Sequence, residues 1–376
     1  MSLREVIVDE IRRRGPMPFS RYMELCLYHP EFGYYSRTAE QFGKAGDFYT
    51  SSDVHAVFGR LLARQFEEMW RLLGTPERID LIELGPGRGL FARDVLDWCT
   101  KQFPDFARTL RYALVEQSPA LRARLEQRLA DHVTARRAAI FDALEVAASS
   151  AGHSLIVFVN EFFDALPVEI LDHRGSVRVV ENGSKFAETF VPCSQLELEF
   201  VDRYSVPPKP AARVEASLAS RQWMERMATA FRGRQGFALV IDYGYTREQQ
   251  LAGRHRDTLM TYRTHRASAS PYEAPGEQDI TAHVNFTALR NVANENGLET
   301  VALLTQSQFL MGIGEESQFA DAFQDCKLPQ ERTKVALQLK HLISPEGMGE
   351  TFQVLVMSRE VPREKAARLS GLKLTR

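Results

Sequence analysis

The chain has 376 residues, of which 44% are hydrophobic and 26% charged, a balance typical of a folded protein with a sizeable core. A formal net charge of -2 excludes a strong overall attraction to nucleic acid. No run approaches the roughly 18 apolar residues of a membrane span, so we expect no membrane insertion. Residues 1–14 lack the apolar stretch of a signal peptide, and we therefore expect a cytoplasmic protein.

The four cysteines are far apart in the sequence, and none belongs to a C-x-x-C pair. Clusters of His, Cys and carboxylate residues with the spacing of metal ligands are also missing, so we expect no metal site. The cysteines are Cys26, Cys99, Cys193 and Cys326.

Short apolar runs alternate with helical patterns from residue 54 onward. Apolar residues recur every three or four positions between Val54 and Leu73, which predicts an amphipathic helix. The predicted strands are Ile79–Leu84, Tyr112–Val115, Leu155–Val159, Phe237–Ile241, Thr300–Leu304 and Thr351–Val356, and the main helices between them are Leu90–Trp98, Pro119–Ala130 and Phe286–Asn296.

This alternation predicts an α/β fold with a mostly parallel sheet and helices on both faces. We divide the chain into an N-terminal helical cap, residues 1–75, and a main domain, residues 76–376, with insertions at about 175–205 and 245–285. The first insertion is rich in β-formers around Asn182-Gly183, which predicts one or two hairpins. The second lies in a long loop, Gly244–Asp279, which is either a lid or docking surface or a plain solvated loop.

Ligands of such sheets bind beyond the carboxyl ends of the strands, which directs attention to the sequence E-L-G-P-G-R-G at Glu83–Gly89. Its glycine spacing differs from G-x-G-x-x-G and lacks the Lys of a phosphate-binding loop. Glu116 ends the next strand, where its carboxylate can accept hydrogen bonds from both hydroxyls of a ribose. The pattern favours an adenosyl cofactor over a plain turn with a surface Glu. The predicted cofactor contacts here are Glu83, Gly85, Pro86, Gly87, Gly89 and Glu116.

Several longer motifs resemble one family, that of the mitochondrial complex I assembly methyltransferase and its bacterial relatives. They are Gly46–Ser51, Asn160–Pro167, Asp242–Tyr245 and Pro275–Val284, while Glu83–Gly89 resembles the first motif of class I methyltransferases in general. The resemblance runs from about Pro18 to Ile313. It implies a Rossmann-like class I methyltransferase fold that uses S-adenosyl-L-methionine. It also implies a protein substrate, since the mitochondrial member is a protein arginine methyltransferase.

In class I methyltransferases the end of the strand before Asn160-Glu161 faces the transferred methyl group. The resemblance therefore implies that Glu161 orients a nitrogen nucleophile, because a carboxylate can hold a guanidinium with paired hydrogen bonds. Asn160 is predicted to contact the cofactor, and Asp164 is the second catalytic candidate. The alternative for this stretch is a helix start, in which Asp164 complements the helix dipole and the two Phe residues are core.

The loop before residue 54 and one histidine complete the set of candidates. The resemblance implies that Asp47 and Thr50 contact the cofactor; alternatively this segment only caps the following helix. His283 orients the substrate or takes a proton as product leaves, or it is a structural histidine.

We therefore predict a methyltransferase that acts on a protein arginine, with a respiratory complex I subunit homologue as a possible substrate. Two alternatives stay open: a small-molecule methyltransferase on the same core, and an assembly chaperone that keeps the cofactor fold without turnover.

Overall fold

A computed structural model of the chain describes residues 2–37, 56–210, 212–255, 257–263, 266–268 and 270–375. The chain forms two compact units, each built from three separate segments. The large-sheet unit comprises Tyr49–Glu161, Glu225–Tyr243 and Ala293–Arg376, and the small-sheet unit comprises Met1–Phe48, Phe162–Met224 and Gly244–Val292.

The strands and helices follow in chain order. The strands are β1 Met17–Pro18, β2 Ile79–Leu84, β3 Leu110–Val115, β4 Ala138–Phe141, β5 Ser154–Asn160, β6 Glu169–Asp172, β7 Gly175–Asn182, β8 Lys185–Val191, β9 Val214–Ala216, β10 Gln235–Tyr245, β11 Met260–Arg263, β12 Arg266–Ser268, β13 Asp279–Thr281, β14 Val284–Asn285, β15 Glu299–Thr305 and β16 Phe352–Arg359. The α-helices are α1 Leu3–Arg14, α2 Phe19–Tyr28, α3 Tyr34–Arg37, α4 Ala56–Leu72, α5 Leu90–Gln102, α6 Pro104–Thr109, α7 Pro119–Arg128, α8 Ala130–Thr134, α9 Leu144–Ser150, α10 Gln195–Tyr204, α11 Leu218–Ala230, α12 Arg247–Leu251, α13 Phe286–Glu295, α14 Gln306–Ser317, α15 Ala320–Phe323, α16 Pro329–Ile343 and α17 Arg363–Ala366.

The sheet of the large-sheet unit has the strand order β15-β16-β10-β5-β2-β3-β4. The strands from β10 to β4 are parallel to their neighbours, whereas β16 is antiparallel to both β10 and β15. The mostly parallel sheet predicted from the alternating pattern is confirmed. Its central strand β5 lies between β2 and β10, so the polar residues at its carboxyl end have a neighbour on each side.

Both faces of this sheet are buried, as expected for parallel strands connected through helices. On one face Phe158 and Leu239 belong to a core with α4, α5 and α14, and Phe91 stacks on Phe158 at a ring-centroid distance of 4.5 Å. On the opposite face Val157 and Val240 are also completely buried. Short, continuous apolar runs such as Leu155–Val159 therefore form strands, because every position along them is covered.

The small-sheet unit contains antiparallel strands in the order β1-β7-β6-β9, with β8 paired to β7. The β7–β8 hairpin turns through Gly183, whose φ of +59° suits glycine, and this confirms the hairpin predicted at Asn182-Gly183. The last third of the predicted β-rich stretch is instead helix α10, which begins with a capping box from Ser194 to Glu197.

Two further features differ from the sequence-based expectation. The segment 244–279 is not an open loop, because its described residues contain α12 and strands β11 and β12, and β11 also pairs with β13. The bounds of the two units also differ from the predicted boundary near residue 75. Helix α4, which lies before that boundary, packs in the core of the large-sheet unit. No helix in the described ranges is long and apolar enough to cross a membrane.

Candidate active site

The glycine loop follows β2 directly and takes a backbone path that needs glycine. Gly85, Gly87 and Gly89 have φ values of +62°, +50° and +70°. The N–H of Gly85 donates to the carbonyl of Val115 at 3.1 Å, which fixes the loop against the end of β3. Gly89 begins helix α5, and a Cβ at this position would lie 2.6 Å from a methyl group of Leu125.

Gly87 lies on the open side of this loop. A Cβ built on Gly87 would meet no described atom within 4 Å. The backbone at this position is therefore accessible to a ligand, whereas Gly89 is required for the packing of α5 against α7.

Glu83, the acid before the loop, is buried within the sheet rather than exposed at its edge. Its side chain accepts a hydrogen bond from the hydroxyl of Tyr112 at 2.9 Å. Burial raises the pKa of Glu83 to about 8, although the Tyr112 bond opposes the shift. The carboxyl group is therefore largely protonated at neutral pH in this structure.

Glu116 lies at the end of β3, next to the loop, and is partly exposed. Its carboxylate accepts from the N–H of Ser118 at 2.8 Å. Burial raises the pKa of Glu116, while the Ser118 bond and the nearby guanidinium of Arg122 act in the opposite direction. Ser118 also caps helix α7, so one short turn holds both the carboxylate and the helix start.

Asn160 and Glu161 lie at the end of the central strand β5. The amide nitrogen of Asn160 donates to a carboxylate oxygen of Glu161 at 3.1 Å. Glu161 has a φ of +49°, a conformation that non-glycine residues rarely adopt, and its N–H donates to the carbonyl of Ile241 at 3.0 Å. Such backbone strain is frequently found at functional sites.

Asp242 and Tyr243 follow on the neighbouring strand β10. Asp242 is completely buried and accepts a hydrogen bond from the N–H of Tyr243 at 2.9 Å. The structure thus brings the predicted residues of β2, β3, β5 and β10 to the same edge of one sheet.

Asp164 lies in the small-sheet unit, in a buried group of acids and tyrosines. Tyr35 donates to the carboxylate of Asp279 at 2.9 Å. Burial raises the pKa of Tyr35, and so do the nearby carboxylates of Asp279 and Asp164. The pKa of Tyr262 is raised by burial and by the same two acids. Asp164 thus has aromatic and acidic neighbours.

His283 also belongs to the small-sheet unit and contacts a second histidine. Its Nδ1 lies 3.2 Å from Nδ1 of His255, whose ring stacks on Tyr245. Burial, together with a smaller contribution from His255, lowers the pKa of His283 to about 4. His283 is therefore neutral at physiological pH and a weak proton acceptor.

Two predicted cofactor contacts, Asp47 and Thr50, lie outside the described residues. Among the residues that the structure describes, no group of three His, Cys, Asp or Glu side chains could hold a metal ion.

Comparison with known proteins decides the family. Residues 61–304, more than half of the chain, match the model of a family of S-adenosyl-L-methionine-dependent methyltransferases. The chain belongs to this family. It is therefore an α/β enzyme that uses S-adenosyl-L-methionine, as the glycine loop and the longer motifs predicted.

Relatives with names and structures agree with this assignment. The chain is 28% identical to the Drosophila melanogaster protein arginine methyltransferase NDUFAF7 homolog over 380 residues, which cover 95% of this chain and 84% of the relative. It is 27% identical to the human protein arginine methyltransferase NDUFAF7, with 93% and 82% covered. A Burkholderia thailandensis protein crystallised with S-adenosyl-homocysteine is 27% identical, with a TM-score of 0.80 and coverage of 99% and 94%.

The residues at the sheet edge fit the cofactor of this methyltransferase. The open backbone at Gly87 leaves space for a ligand, and Glu116 presents a carboxylate at the end of the adjacent strand. One residue of this region, Tyr112, was not predicted from the sequence, although it donates a hydrogen bond to Glu83. The strand register places Tyr112 opposite Leu81, on the same face as Glu83, so a register prediction for two parallel strands is the signal that could have found it.

Proposed function

We propose that this methyltransferase transfers a methyl group to a nitrogen of an arginine side chain in a partner protein. The observation that carries the proposal is the bonded pair Asn160 and Glu161 at the end of the central strand, in the same unit as the glycine loop. The names of the relatives as protein arginine methyltransferases support the same substrate class.

The loop from Gly85 to Gly89, including Pro86, would hold the methionine part of the cofactor, and Glu116 would bind the ribose hydroxyls. Glu83 would support the loop from beneath, through its bond to Tyr112. When bound, S-adenosyl-L-methionine supplies a methyl group on a positively charged sulfur. Cofactor contacts by Asp47 and Thr50 remain part of this proposal.

Glu161 would hold the guanidinium through charge-assisted hydrogen bonds, which are stronger than those between neutral groups. Methyl transfer to nitrogen requires orientation of the nucleophile more than early proton removal. The methylated nitrogen then releases one proton, which the Glu161 carboxylate would pass to solvent. Asp164 remains the second candidate for holding the substrate, and the low basicity of His283 favours an orienting role over proton transfer.

The resemblance to the complex I assembly family makes a respiratory complex I subunit homologue the first substrate to test. Purified enzyme is incubated with methyl-labelled S-adenosyl-L-methionine and a cell extract depleted of endogenous cofactor, and labelled proteins are mapped by mass spectrometry. We expect label on arginine nitrogen of one or a few proteins.

The matched variants are Glu161→Gln, which removes the charge, and Glu126→Gln at an exposed position on α7. We expect loss of labelling in the first and normal labelling in the second. Label only in small molecules would contradict the protein substrate. If the protein that this chain acts on still matures normally in cells that carry only the Glu161→Gln variant, a chaperone without methyl transfer would be favoured.

A further inference from the structure

The two ends of the Asn160 side-chain amide differ in their hydrogen bonding. Its nitrogen donates to Glu161 at 3.1 Å. Its oxygen, Oδ1, is buried and has no hydrogen-bond partner in the part of the chain that the structure describes. A buried acceptor without a donor is unfavourable, and because most buried polar groups in proteins have a hydrogen-bond partner, this oxygen is a candidate acceptor for a bound ligand.

The orientation of this amide follows from its neighbour. An ionised carboxylate only accepts hydrogen bonds, so Asn160 must turn its NH₂ group toward Glu161. The reverse orientation would bring two acceptors together. The bond from the N–H of Glu161 to Ile241 fixes the backbone that carries this carboxylate, and the bond from Asn160 to the carboxylate turns the amide oxygen away from it.

The strand pairing places Asn160 beside the glycine loop. Val159 of β5 pairs with Leu84 of β2, so Asn160 and Gly85 are the next residues along two adjacent parallel strands. The pair Asn160 and Glu161 thus offers an amide oxygen and a carboxylate beside the loop. Two neighbouring acceptors suit a nitrogen nucleophile with two N–H groups better than a hydroxyl, which has a single hydrogen.

We propose that Oδ1 of Asn160 accepts a hydrogen bond from the attacking nitrogen of the substrate, and that Asn160 thereby selects nitrogen nucleophiles. The inference rests on the proposed function, since it assigns a second acceptor to the same site. The competing donor is the α-ammonium group of the cofactor, which would make Asn160 a cofactor-binding residue only.

Two ligands distinguish these donors without a protein substrate. S-adenosyl-homocysteine and sinefungin share the adenosine and the α-ammonium group. In sinefungin, a carbon bearing a primary amine replaces the sulfur and its methyl group. That amine offers N–H donors near the point of methyl transfer. Calorimetric titration of the full chain gives the dissociation constant of each ligand, and their ratio reports the bond to the amine.

We expect Asn160→Ala to lower the preference for sinefungin over S-adenosyl-homocysteine at least tenfold, while the affinity for S-adenosyl-homocysteine changes less than about twofold. Asn160→Asp keeps an acceptor at this position and should retain the preference. If the alanine variant fails to fold, Asn160→Leu, which has a similar shape but no hydrogen-bond acceptor, replaces it in the test.

Equal weakening of both ligands in Asn160→Ala would assign the oxygen to the α-ammonium group and overturn the proposal. An unchanged ratio would overturn it as well, and so would an Asn160→Asp variant that loses the preference as fully as alanine does. A wild-type protein that binds neither ligand would instead contradict the proposed cofactor site, so the two failures are distinguishable.

Discussion

Tyr112 and Glu83 lie on neighbouring parallel strands, and the hydroxyl of Tyr112 donates to the Glu83 carboxyl group at 2.9 Å. Because burial raises the pKa of Glu83 to about 8, the folded protein keeps a proton that the unfolded chain loses near pH 4.5. The unfolding free energy should therefore fall as pH rises from about 4.5 to 8.

Glu83→Gln should remove this dependence, about 1.4 kcal/mol per pH unit for a single proton. Urea unfolding at pH 5.5, 7.0 and 8.5 measures the slope. Tyr112→Phe is the control, because loss of a bond that lowers the pKa of Glu83 should extend the window to higher pH. An identical slope in wild type and Glu83→Gln would show that Glu83 is already ionised in the folded protein.

Gly87→Ala and Gly89→Ala form a matched pair within the glycine loop. Both positions have positive φ, which costs alanine about 1 kcal/mol. Only Gly89→Ala adds a Cβ 2.6 Å from Leu125, so it should be the less stable variant by roughly 1–3 kcal/mol. Gly87→Ala should lose cofactor affinity at least tenfold while remaining folded. Calorimetry and thermal unfolding test the pair, and normal cofactor binding by Gly87→Ala would argue against contact at the loop backbone.

The lowered pKa of His283 should make the free energy of unfolding depend on pH below neutrality. Burial and His255 lower the pKa of His283 to about 4, whereas an unfolded histidine takes up a proton near 6.5. The unfolded state therefore binds more protons in this window, and stability is lost as pH falls from 6.5 to about 4. His283→Gln should flatten the curve there by up to about 1.4 kcal/mol per pH unit. A curve as steep as that of wild type would assign the acid sensitivity to other groups.

Arg234 is predicted to stabilise the large-sheet unit through backbone carbonyl groups. Its guanidinium donates to the carbonyls of Gly152, Ala230 and Ala148 at 2.9, 2.8 and 2.8 Å. Arg234→Met should lower the unfolding free energy by about 2–4 kcal/mol, because these acceptors lose a charged donor. The exposed Arg232→Met is the control and should change stability by less than about 0.5 kcal/mol.

The sheet edge is predictable because parallel strands end at the same edge, so the sequence places Glu83, Glu116 and Asn160 together. It does not predict that Glu83 is buried within the sheet instead of exposed at that edge. Local patterns also predicted β5, since a short, continuous apolar run between polar residues is typical of a strand buried on both faces. Tyr112 was missed because a tyrosine within an apolar run looks like an ordinary strand residue. The contact between His255 and His283 was missed for a different reason: it joins residues 28 positions apart through tertiary packing, which no periodicity reports.

The pairing of β1 with β7 has a consequence for the order of synthesis. Pro18 pairs with Arg178, 160 positions later in the chain (178 minus 18). Helices α1 and α2 bury apolar side chains such as Ile7 and Phe19 in a core that includes Val177 and Val179. Until the ribosome has translated β7, these helices lack their packing partners. Chaperones that shield apolar helices should therefore associate with the N-terminal segment of the nascent chain and leave only after β7 has emerged.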